Sequence, residues 1–374
     1  MTQITFYPLG CADTSLIELQ DGRRMLVDYA NKRSAEEDDK RCDLPALLKA
    51  DLNAAGRSSY AVASFTHLDD DHCGGASDFF YFRHAAKYQG SGRHKIDTLW
   101  VPAAAITETN LDADAWAIRQ EARYRLRQGS GILVFSRPER LHDWFEDEGL
   151  SMESRADCFV DAGKLVPAFD LYVDGVEFFV HSPHARRTND RGLEDRNGDS
   201  LVFQARFREG GTNTDVIFSA DVDHTILSEI VRITRWHKND DRLHWNVYHL
   251  PHHCSYKSIG PEKGVDKTVP VAEVKWLCET QGEPDGFIIS PSKPIPYKGT
   301  PADEDVQPPH RQAAAYYRAD VLNDPRHLLV TMSEPSTTSP KPIVISITAD
   351  GAVKVPPGSG GAKVAAAVIA PRAG

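Results

Sequence analysis

Short apolar runs, broken by glycine, proline and acidic residues, alternate along the chain with longer stretches that have one apolar face. The short runs predict β-strands. In the first half they lie at 3–7, 15–19, 60–65, 96–102 and 131–135. The longer stretches predict helices. One begins at Asp43, where the aspartate can cap it, and two more span 112–128 and 138–148.

The second half continues this pattern and ends in a segment that lacks it. Strands are predicted at 171–180, 200–207, 215–219, 246–250, 286–290, 342–348 and 352–355, and helices at 225–235 and 310–321. Residues 356–374 are rich in proline, glycine and alanine, so we expect a disordered tail or a segment that orders only with a partner. Residues 1–355 then form one domain, in which 76–165 is a variable elaboration that shapes access to a site.

Residues 66–75, Thr-His-Leu-Asp-Asp-Asp-His-Cys-Gly-Gly, hold the strongest chemical signal in the chain. Two imidazoles and three carboxylates follow the apolar run 60–65 directly and precede two glycines. This is typical of a buried strand that ends in a tight loop and enters a helix. Histidine with carboxylate is the ligand set of Zn²⁺, Mn²⁺ or Fe²⁺ at hydrolytic sites. We therefore predict a metal site, with an acidic solvated turn as the alternative.

This stretch resembles the H-x-H-x-D-H signature of the metallo-β-lactamase superfamily. His67, Asp71 and His72 match the signature, and Asp69 stands at the position of its second histidine. The resulting H-x-D-x-D-H pattern is similar to one branch of the superfamily. That branch includes the hydrolase-like domain of the DNA-internalisation competence protein ComEC and the choline-phosphate esterases of bacterial surfaces.

Further motifs occur in the order that the family has. They are 8–17 (PLGCADTSLI, like V-G-Q-G-D-x-x-L-I), 24–28 (RMLVD, like L-I-D), 197–202 (NGDSLV, like N-x-x-S-L-V), 218–223 (FSADVD, like T-G-D) and 250–255 (LPHHCS, like P-H-H-G-S). Some positions depart from the pattern: Cys11 and Ala12 in the first motif, and Cys254 for glycine in the last. The resemblance covers about residues 4–320.

The resemblance implies a four-layer αββα sandwich that holds two divalent metal ions, Zn²⁺ or Mn²⁺. It implies that His67 and Asp69 hold the first ion and that Asp71 and His72 hold the second. Asp221, at the end of a predicted strand, would bridge the two ions.

The first ion needs a further ligand, and its identity stays open. Position within the family pattern implies Asn197, a neutral oxygen donor that suits Mn²⁺ or Mg²⁺ better than Zn²⁺. His181 and His184 are rivals, because ordinary family members carry a histidine-containing motif at a similar stage; a surface histidine pair is the alternative. His310 is a further candidate, or it sits near a helix start.

We expect the adjacent histidines at 252 and 253 to have different roles, because adjacent side chains diverge. We assign His253 to the metal and His252 to the substrate phosphate or to proton donation, and the reverse assignment stays open. Imidazole suits proton donation because its pKa lies near working pH. Asp71 and His252 are thus the predicted catalytic residues. Asp221 has the alternative of capping the helix predicted at 225–235.

Composition narrows the class of protein. The chain has 374 residues, of which 41% are hydrophobic and 26% charged, an ordinary globular composition. The net charge of −11 argues against tight, sequence-independent binding of duplex DNA. The six cysteines form no C-x-x-C pair, so we expect reduced thiols that ligate no metal. Without a signal-peptide pattern or an apolar run of membrane length, we expect a cytoplasmic protein with no membrane partner.

We therefore expect a metal-dependent hydrolase, in its narrower form a phosphodiesterase or nuclease in which a metal-bound hydroxide attacks phosphorus. Single-stranded nucleic acid and a nucleotide are the candidate substrates. One alternative is a hydrolase of a small ester, lactone or thioester. Another is an accessory or effector subunit of a multiprotein system that acts only with a protein partner.

Arg119, Arg123 and Arg127 recur on one face of the helix predicted at 112–128. They form a candidate phosphate-contacting stripe. The alternative is a solvated face with a pair between Arg125 and Glu121.

Overall fold

The structure is a computed structural model that describes residues 1–36, 38–184 and 196–357. Its strands are β1 (Thr2–Phe6), β2 (Ser15–Glu18), β3 (Arg24–Val27), β4 (Ser59–Ser64), β5 (Lys95–Pro102), β6 (Ile132–Phe135), β7 (Phe159–Val160), β8 (Val176–Ser182), β9 (Val202–Glu209), β10 (Thr212–Phe218), β11 (Trp245–His249), β12 (Gly282–Ser290), β13 (Leu328–Val330), β14 (Ile343–Thr348) and β15 (Gly351–Lys354). Its helices are α1 (Leu44–Ala54), α2 (Asp70–Cys73), α3 (Ala76–Phe79), α4 (Ala104–Thr107), α5 (Ala113–Gln128), α6 (Glu139–Asp147), α7 (His224–Trp236), α8 (Ala272–Glu279) and α9 (Arg311–Tyr316).

The strands form two sheets. The larger sheet has nine strands in the order β15-β14-β1-β2-β3-β4-β5-β6-β7, and the smaller has six in the order β13-β12-β11-β10-β9-β8. In the larger sheet the strands from β3 to β7 are parallel, and in the smaller sheet those from β10 to β13 are parallel. Each sheet therefore has a stretch of neighbouring strands whose carboxyl ends lie at one edge.

Three separate apolar cores define the layers. The middle core lies between the sheets, and Trp100 of β5 stands in it with its ring edge-on to Phe178 of β8 at 5.3 Å. A second core joins the other face of the larger sheet to α1 and α5, and a third joins the smaller sheet to α7, α8 and α9. Because strands send successive side chains to opposite faces, each sheet is apolar on both. The predicted four-layer αββα sandwich is confirmed.

Residues 76–165 extend the larger sheet, because they supply β5, β6 and β7. The pair of Glu121 and Arg125 on α5 belongs to this extension, with Glu121 Oε1 and Arg125 Nε 2.7 Å apart. Both side chains are buried, and the Arg125 guanidinium donates to the carbonyls of Ile96 and Gly131. The interpretation of this pair as part of a solvated face is wrong, because it ties α5 to β5 and β6.

Several predicted elements begin or end at other residues; the strand predicted at 286–290, for example, already begins at Gly282. The strand predicted at 171–180 starts only at Val176, because Asp170 accepts hydrogen bonds from the backbone of Tyr172 and Val173 and forms a turn. The helix predicted at 310–321 begins at Arg311 and changes to a π-helical turn over Tyr317–Val321. Residues 358–374 of the predicted tail lie outside the described residues.

Within the part of the chain that the structure describes, no helix combines the length and the apolar composition that a membrane span requires.

His244 joins the start of β11 to its neighbours and gives the fold a pH-dependent element. Its Nδ1 lies 3.0 Å from Asp215 Oδ2 and its Nε2 lies 2.9 Å from Glu283 Oε1. The hydrogen bond to Asp215 raises the pKa of His244, burial opposes this, and Glu283 adds to it. A histidine whose folded pKa is raised adds stability below its unfolded pKa of about 6.5 and loses it as pH rises through the folded pKa.

We predict that His244→Gln lowers the free energy of unfolding more at about pH 6 than at about pH 9. Urea unfolding of the variant and the wild type at both pH values measures this. An equal loss at both pH values would show that His244 contributes by packing and not by charge.

Candidate metal centre

The predicted ligands lie where the carboxyl ends of parallel strands from the two sheets meet. Asp28 follows β3 directly and His67 follows β4, two parallel neighbours in the larger sheet. Asp221 follows β10 and His253 follows β11, which are parallel neighbours in the smaller sheet. Residues that are far apart in sequence therefore share one edge of the sandwich.

Two compact groups of possible ligands result. We call Asp13, His72, Asp221 and His253 the central group; all four are buried. We call His67, Asp71 and His72 the outer group. Within each group the ligand atoms lie within 4.8 Å of one another, close enough to share one coordination sphere around an ion.

The distances in the central group are those of charged neighbours. His72 Nε2 lies 3.2 Å from Asp221 Oδ1 and 3.7 Å from Asp13 Oδ2. His253 Nε2 lies 3.5 Å from Asp221 Oδ2 and 3.2 Å from Asp71 Oδ2. Asp71 thus connects the outer group to the central one.

Each of the three buried imidazoles is oriented by a partner on its Nδ1. His72 Nδ1 lies 2.8 Å from Asp28 Oδ2, and His253 Nδ1 lies 2.9 Å from the carbonyl oxygen of Pro291. His67 Nδ1 lies 3.2 Å from the hydroxyl of Thr66, which itself donates to Asp28. A histidine held in this way presents Nε2 as the lone-pair donor to a metal.

Several of the inward atoms lack any hydrogen-bond partner among the described residues. They are Asp13 Oδ1, Asp13 Oδ2, Asp221 Oδ1, His67 Nε2 and His72 Nε2. Two of them have a charged neighbour: Asp13 Oδ1 lies 2.9 Å from His249 Nε2, and Asp221 Oδ1 lies 3.2 Å from His72 Nε2. Burying polar atoms without partners is costly, and such groups in proteins are usually paired or coordinate a metal. Carboxylate oxygens and imidazole nitrogens suit a divalent cation, so the residues fit the predicted metal.

The pKa values of the buried groups also indicate a site suited to a cation. Burial opposes charge on Asp221, but His253 and His72 outweigh it and hold the Asp221 pKa well below its usual value. Burial also opposes protonation of His253, but Asp221, Asp71 and Asp13 together raise its pKa to about 10. Burial opposes protonation of His72 as well, but Asp221 and Asp28 outweigh it and raise the pKa of His72. Without metal, protons on His72 and His253 therefore balance the buried carboxylates. A cation that binds here displaces those protons.

Backbone strain is concentrated at the turn that carries the two adjacent histidines. His252, His253 and Cys254 have φ angles of 50°, 51° and 67°, in the left-handed region. Cys254 occupies the position where the family motif has glycine. Residues other than glycine in this region cost on the order of 1–3 kcal/mol each, and such strain clusters at functional sites.

Asp69 and Asn197, the other predicted ligands of the first ion, do not belong to the outer group as His67 does. Asp69 Oδ1 lies 2.8 Å from Arg196 Nη1, and Asp69 Oδ2 lies 3.7 Å from His67 Nε2, so Asp69 is held at the edge of the outer group. Asn197 follows Arg196 in the loop that borders the His67 loop, since Leu201 N donates to Thr66 O at 2.8 Å. Ligation by Asp69 and Asn197 stays a prediction.

The rival histidines have other surroundings. His181 is buried, with Nε2 2.9 Å from the carbonyl oxygen of Arg242 and Nδ1 3.3 Å from Thr234, and burial lowers its pKa to about 4. His181 is therefore a structural residue between β8 and α7. His184 lies at the end of a described segment. His310 is buried against the ring of Tyr256, and it belongs to neither ligand group.

The adjacent histidines take different positions. His253 is buried in the central group, whereas the side chain of His252 is 25% exposed and has its Nδ1 3.3 Å from the Asp221 carbonyl oxygen. This arrangement agrees with the assignment of His253 to metal and His252 to substrate, and that assignment stays a prediction. Asp221 does not cap a helix, because Asp223 caps α7.

One acidic and one basic residue at the site, Asp13 and His249, were not predicted as site residues from the sequence. Asp13 lies in the central group, and His249 Nε2 lies 2.9 Å from Asp13 Oδ1. Asp13 was visible only as one matching position in the motif at 8–17. The sequence feature that could have indicated Asp13 is its position as an acidic residue in an apolar stretch between two strands.

The cysteines and the arginine stripe are not part of the ligand groups. All six cysteines are free, and neither group contains one. Arg123 donates to the carbonyl of Ile106, and Arg127 is paired with Glu148. Arg119 donates to the Glu108 carbonyl. These arginines hold α5 to its neighbours, a structural role that differs from both the predicted phosphate stripe and the solvated face.

Comparison with solved structures returns matches that include two structures of one enzyme. The metallo-β-lactamase SMB-1 bound to 2-mercaptoethanesulfonate is 16% identical, with a TM-score of 0.27 over 65% of this chain and 78% of that chain. The same enzyme with mercaptoacetic acid is 14% identical, with a TM-score of 0.28 over 65% and 77%. No protein-family profile matches the sequence, and no curated protein does. The branch that the H-x-D-x-D-H pattern resembles stays a prediction.

We predict that Asp13→Asn weakens binding of Mn²⁺ or Zn²⁺ by more than about tenfold, because it replaces a charged ligand by a neutral one of the same shape. Competition with a chromophoric chelator measures the affinity. Asp215→Asn is the matched control, since Asp215 is equally buried but lies within β10 and pairs with Arg206 and His244 instead of the ligand groups. Equal affinities in wild type and Asp13→Asn would remove Asp13 from the ligand set.

Proposed function

We propose that this protein is a metal-dependent hydrolase that cleaves a phosphodiester. The observation that carries the proposal is the central group, in which buried carboxylate and imidazole atoms converge and several lack hydrogen-bond partners among the described residues. A bound divalent cation would lower the pKa of a water molecule and offset the charge of the phosphoryl oxygens.

We propose two ions, Zn²⁺ or Mn²⁺, that bind with unequal strength. His72 belongs to both groups, but its Nδ1 is committed to Asp28, so its Nε2 can serve only one ion. The central group then has Asp13, Asp221 and His253 besides His72. The outer group would depend on His67 and Asp71, helped by Asp69 or Asn197. The central group is therefore the stronger of the two.

Asp71 and His252 fit the catalytic roles because they combine contact with the site and exposure to solvent. The Asp71 side chain is 34% exposed, and its carboxylate accepts from His253 Nε2 at 3.2 Å. It can hold the attacking water and accept its proton. His252 has its Nδ1 beside the Asp221 carbonyl oxygen, which leaves Nε2 to protonate the leaving oxygen.

The choice of a phosphodiester over a neutral ester is supported by the donor set. Carboxylates contribute to both groups, and carboxylate-rich sites suit oxygen-preferring ions such as Mn²⁺. Pairs of such ions stabilise both the attacking and the leaving oxygen of a phosphoryl transfer.

The loop that carries the ligands is held by the main chain and does not need the metal for its shape. Asp71 O accepts from Asp13 N at 2.9 Å, and His72 O accepts from Tyr29 N at 3.0 Å. Thr66 O accepts from Leu201 N at 2.8 Å. Three separate segments thus fix the loop from outside. Together with the large cores, these bonds should keep the metal-free protein folded, unlike small zinc domains.

We predict that Asp71→Ala reduces hydrolysis of bis(p-nitrophenyl) phosphate to background while thermal melting shows a folded protein. The reason is that the variant loses a ligand of the outer group and the acceptor for the water proton. Rates and melting should be measured with added Mn²⁺ and with Zn²⁺.

Asp70→Ala is the matched control, because Asp70 is adjacent, exposed and paired with Lys32 instead of the ligand groups. It should retain activity. Full activity of Asp71→Ala would contradict the proposed hydrolysis at this site. An unfolded Asp71→Ala would instead assign the residue a structural role. Faster hydrolysis of p-nitrophenyl acetate than of the phosphodiester would favour the small-ester alternative.

A further inference from the structure

We propose that Arg196 is the specificity-determining residue that binds a non-bridging phosphoryl oxygen of the substrate. This inference rests on the phosphodiester hydrolysis proposed above. It assigns a substrate contact to a side chain that belongs to neither ligand group.

Arg196 lies directly beside the ligand loop. Its Nη1 is 2.8 Å from Asp69 Oδ1, and the other oxygen of Asp69 is 3.7 Å from His67 Nε2. A single carboxylate therefore separates the guanidinium from the outer group. The Arg196 side chain is 30% exposed and that of its partner Asp69 is 33% exposed, so this pair reaches solvent.

The guanidinium is held in place from two sides. Arg196 Nε pairs with the Glu108 carboxylate, which is nearly buried at the end of α4. The Glu108 carbonyl accepts from Arg119, so the acid is itself fixed by α5. The hydroxyl of Ser200 donates to the Arg196 carbonyl at 3.1 Å. A charged group that is fixed before the ligand arrives loses little entropy on binding.

The charge of the site explains why such a residue is needed. Asp69 and Asp71 are both partly exposed, so an anionic substrate that approaches the outer group meets negatively charged carboxylates there. Among the described residues, Lys32 also pairs with this stretch, through Asp70. Arg196 therefore supplies positive charge beside the outer group, where an approaching phosphate would otherwise be repelled.

Among the contacts of Arg196 with described residues, one donor is left for the substrate. The pairs with Asp69 and Glu108 use Nη1 and Nε, and neither uses Nη2. The planar guanidinium matches the oxygens of a phosphate group, which a lysine ammonium matches less well. The competing role for Arg196 is purely structural, namely to hold Asp69 in a position to ligate metal.

Binding of inorganic phosphate to the metal-loaded protein distinguishes these roles. Calorimetry should show that Arg196→Gln weakens phosphate binding by about tenfold or more, since it removes a charge-assisted hydrogen bond. The metal content should stay at the wild-type level. The phosphate affinity of Arg196→Lys should lie between those of the wild type and Arg196→Gln, because lysine keeps the positive charge and loses the planar guanidinium.

Arg206→Gln is the matched control. Arg206 also pairs with two carboxylates, those of Asp215 and Asp241, but on β9 and away from the ligand loop. It should leave phosphate affinity unchanged even if it lowers the melting temperature. In turnover, Arg196→Gln should raise KM for bis(p-nitrophenyl) phosphate and leave KM for p-nitrophenyl acetate unchanged.

Unchanged phosphate affinity in Arg196→Gln, or no phosphate binding by the wild type, would overturn the proposal. A parallel loss of metal from Arg196→Gln would also overturn it and assign Arg196 to the support of Asp69. If the wild type binds phosphate through Arg196 but hydrolyses no phosphodiester, the proposed reaction fails and the assignment of Arg196 as a phosphate-binding residue stands.

Discussion

Burial of mutually repelling carboxylates against a small number of imidazoles is the constraint on which this structure depends. Asp13, Asp28 and Asp221 are all buried at the junction of the two sheets. Isolated carboxylates there would be strongly destabilising, and the usual remedy is a partner of opposite charge. His72 and His253 supply that partner when protonated, and a divalent cation supplies it more completely. The arrangement therefore favours metal binding over an empty, protonated site.

The rest of the fold offsets the free-energy cost of burying these charges. Three apolar cores on both faces of two sheets stabilise a chain whose site carries buried charge and left-handed residues at positions 252–254. The site is also rigid, because Asp28 and Thr66 fix two imidazoles and the Pro291 carbonyl fixes a third. Rigid second partners of this kind are what set the affinity and geometry of metal sites.

The sequence predicts most strands and helices well, because their apolar periodicity is local. It also predicts the stretch around His67 and His72, where ligand spacing is compressed into a few residues. It does not predict Asp13 as a possible ligand, because its approach to His253 depends on how two distant strands pack. Nor does it predict that Arg125 is buried, since charge alone suggests solvent. The turn after Asp170 is not predicted either, because the Asp170 side chain accepts hydrogen bonds from the backbone of the residues that follow it and so converts an apolar run into a turn.

Binding of a divalent ion by buried ligands from both sheets can be tested by diffraction from crystals grown with Mn²⁺ or Zn²⁺, with data collected at the absorption edge of that metal. We expect an anomalous peak within about 2.0–2.6 Å of ligand atoms from Asp13, His72, Asp221 and His253. Crystals that show no peak there, or a peak bound only by exposed side chains elsewhere, would contradict it.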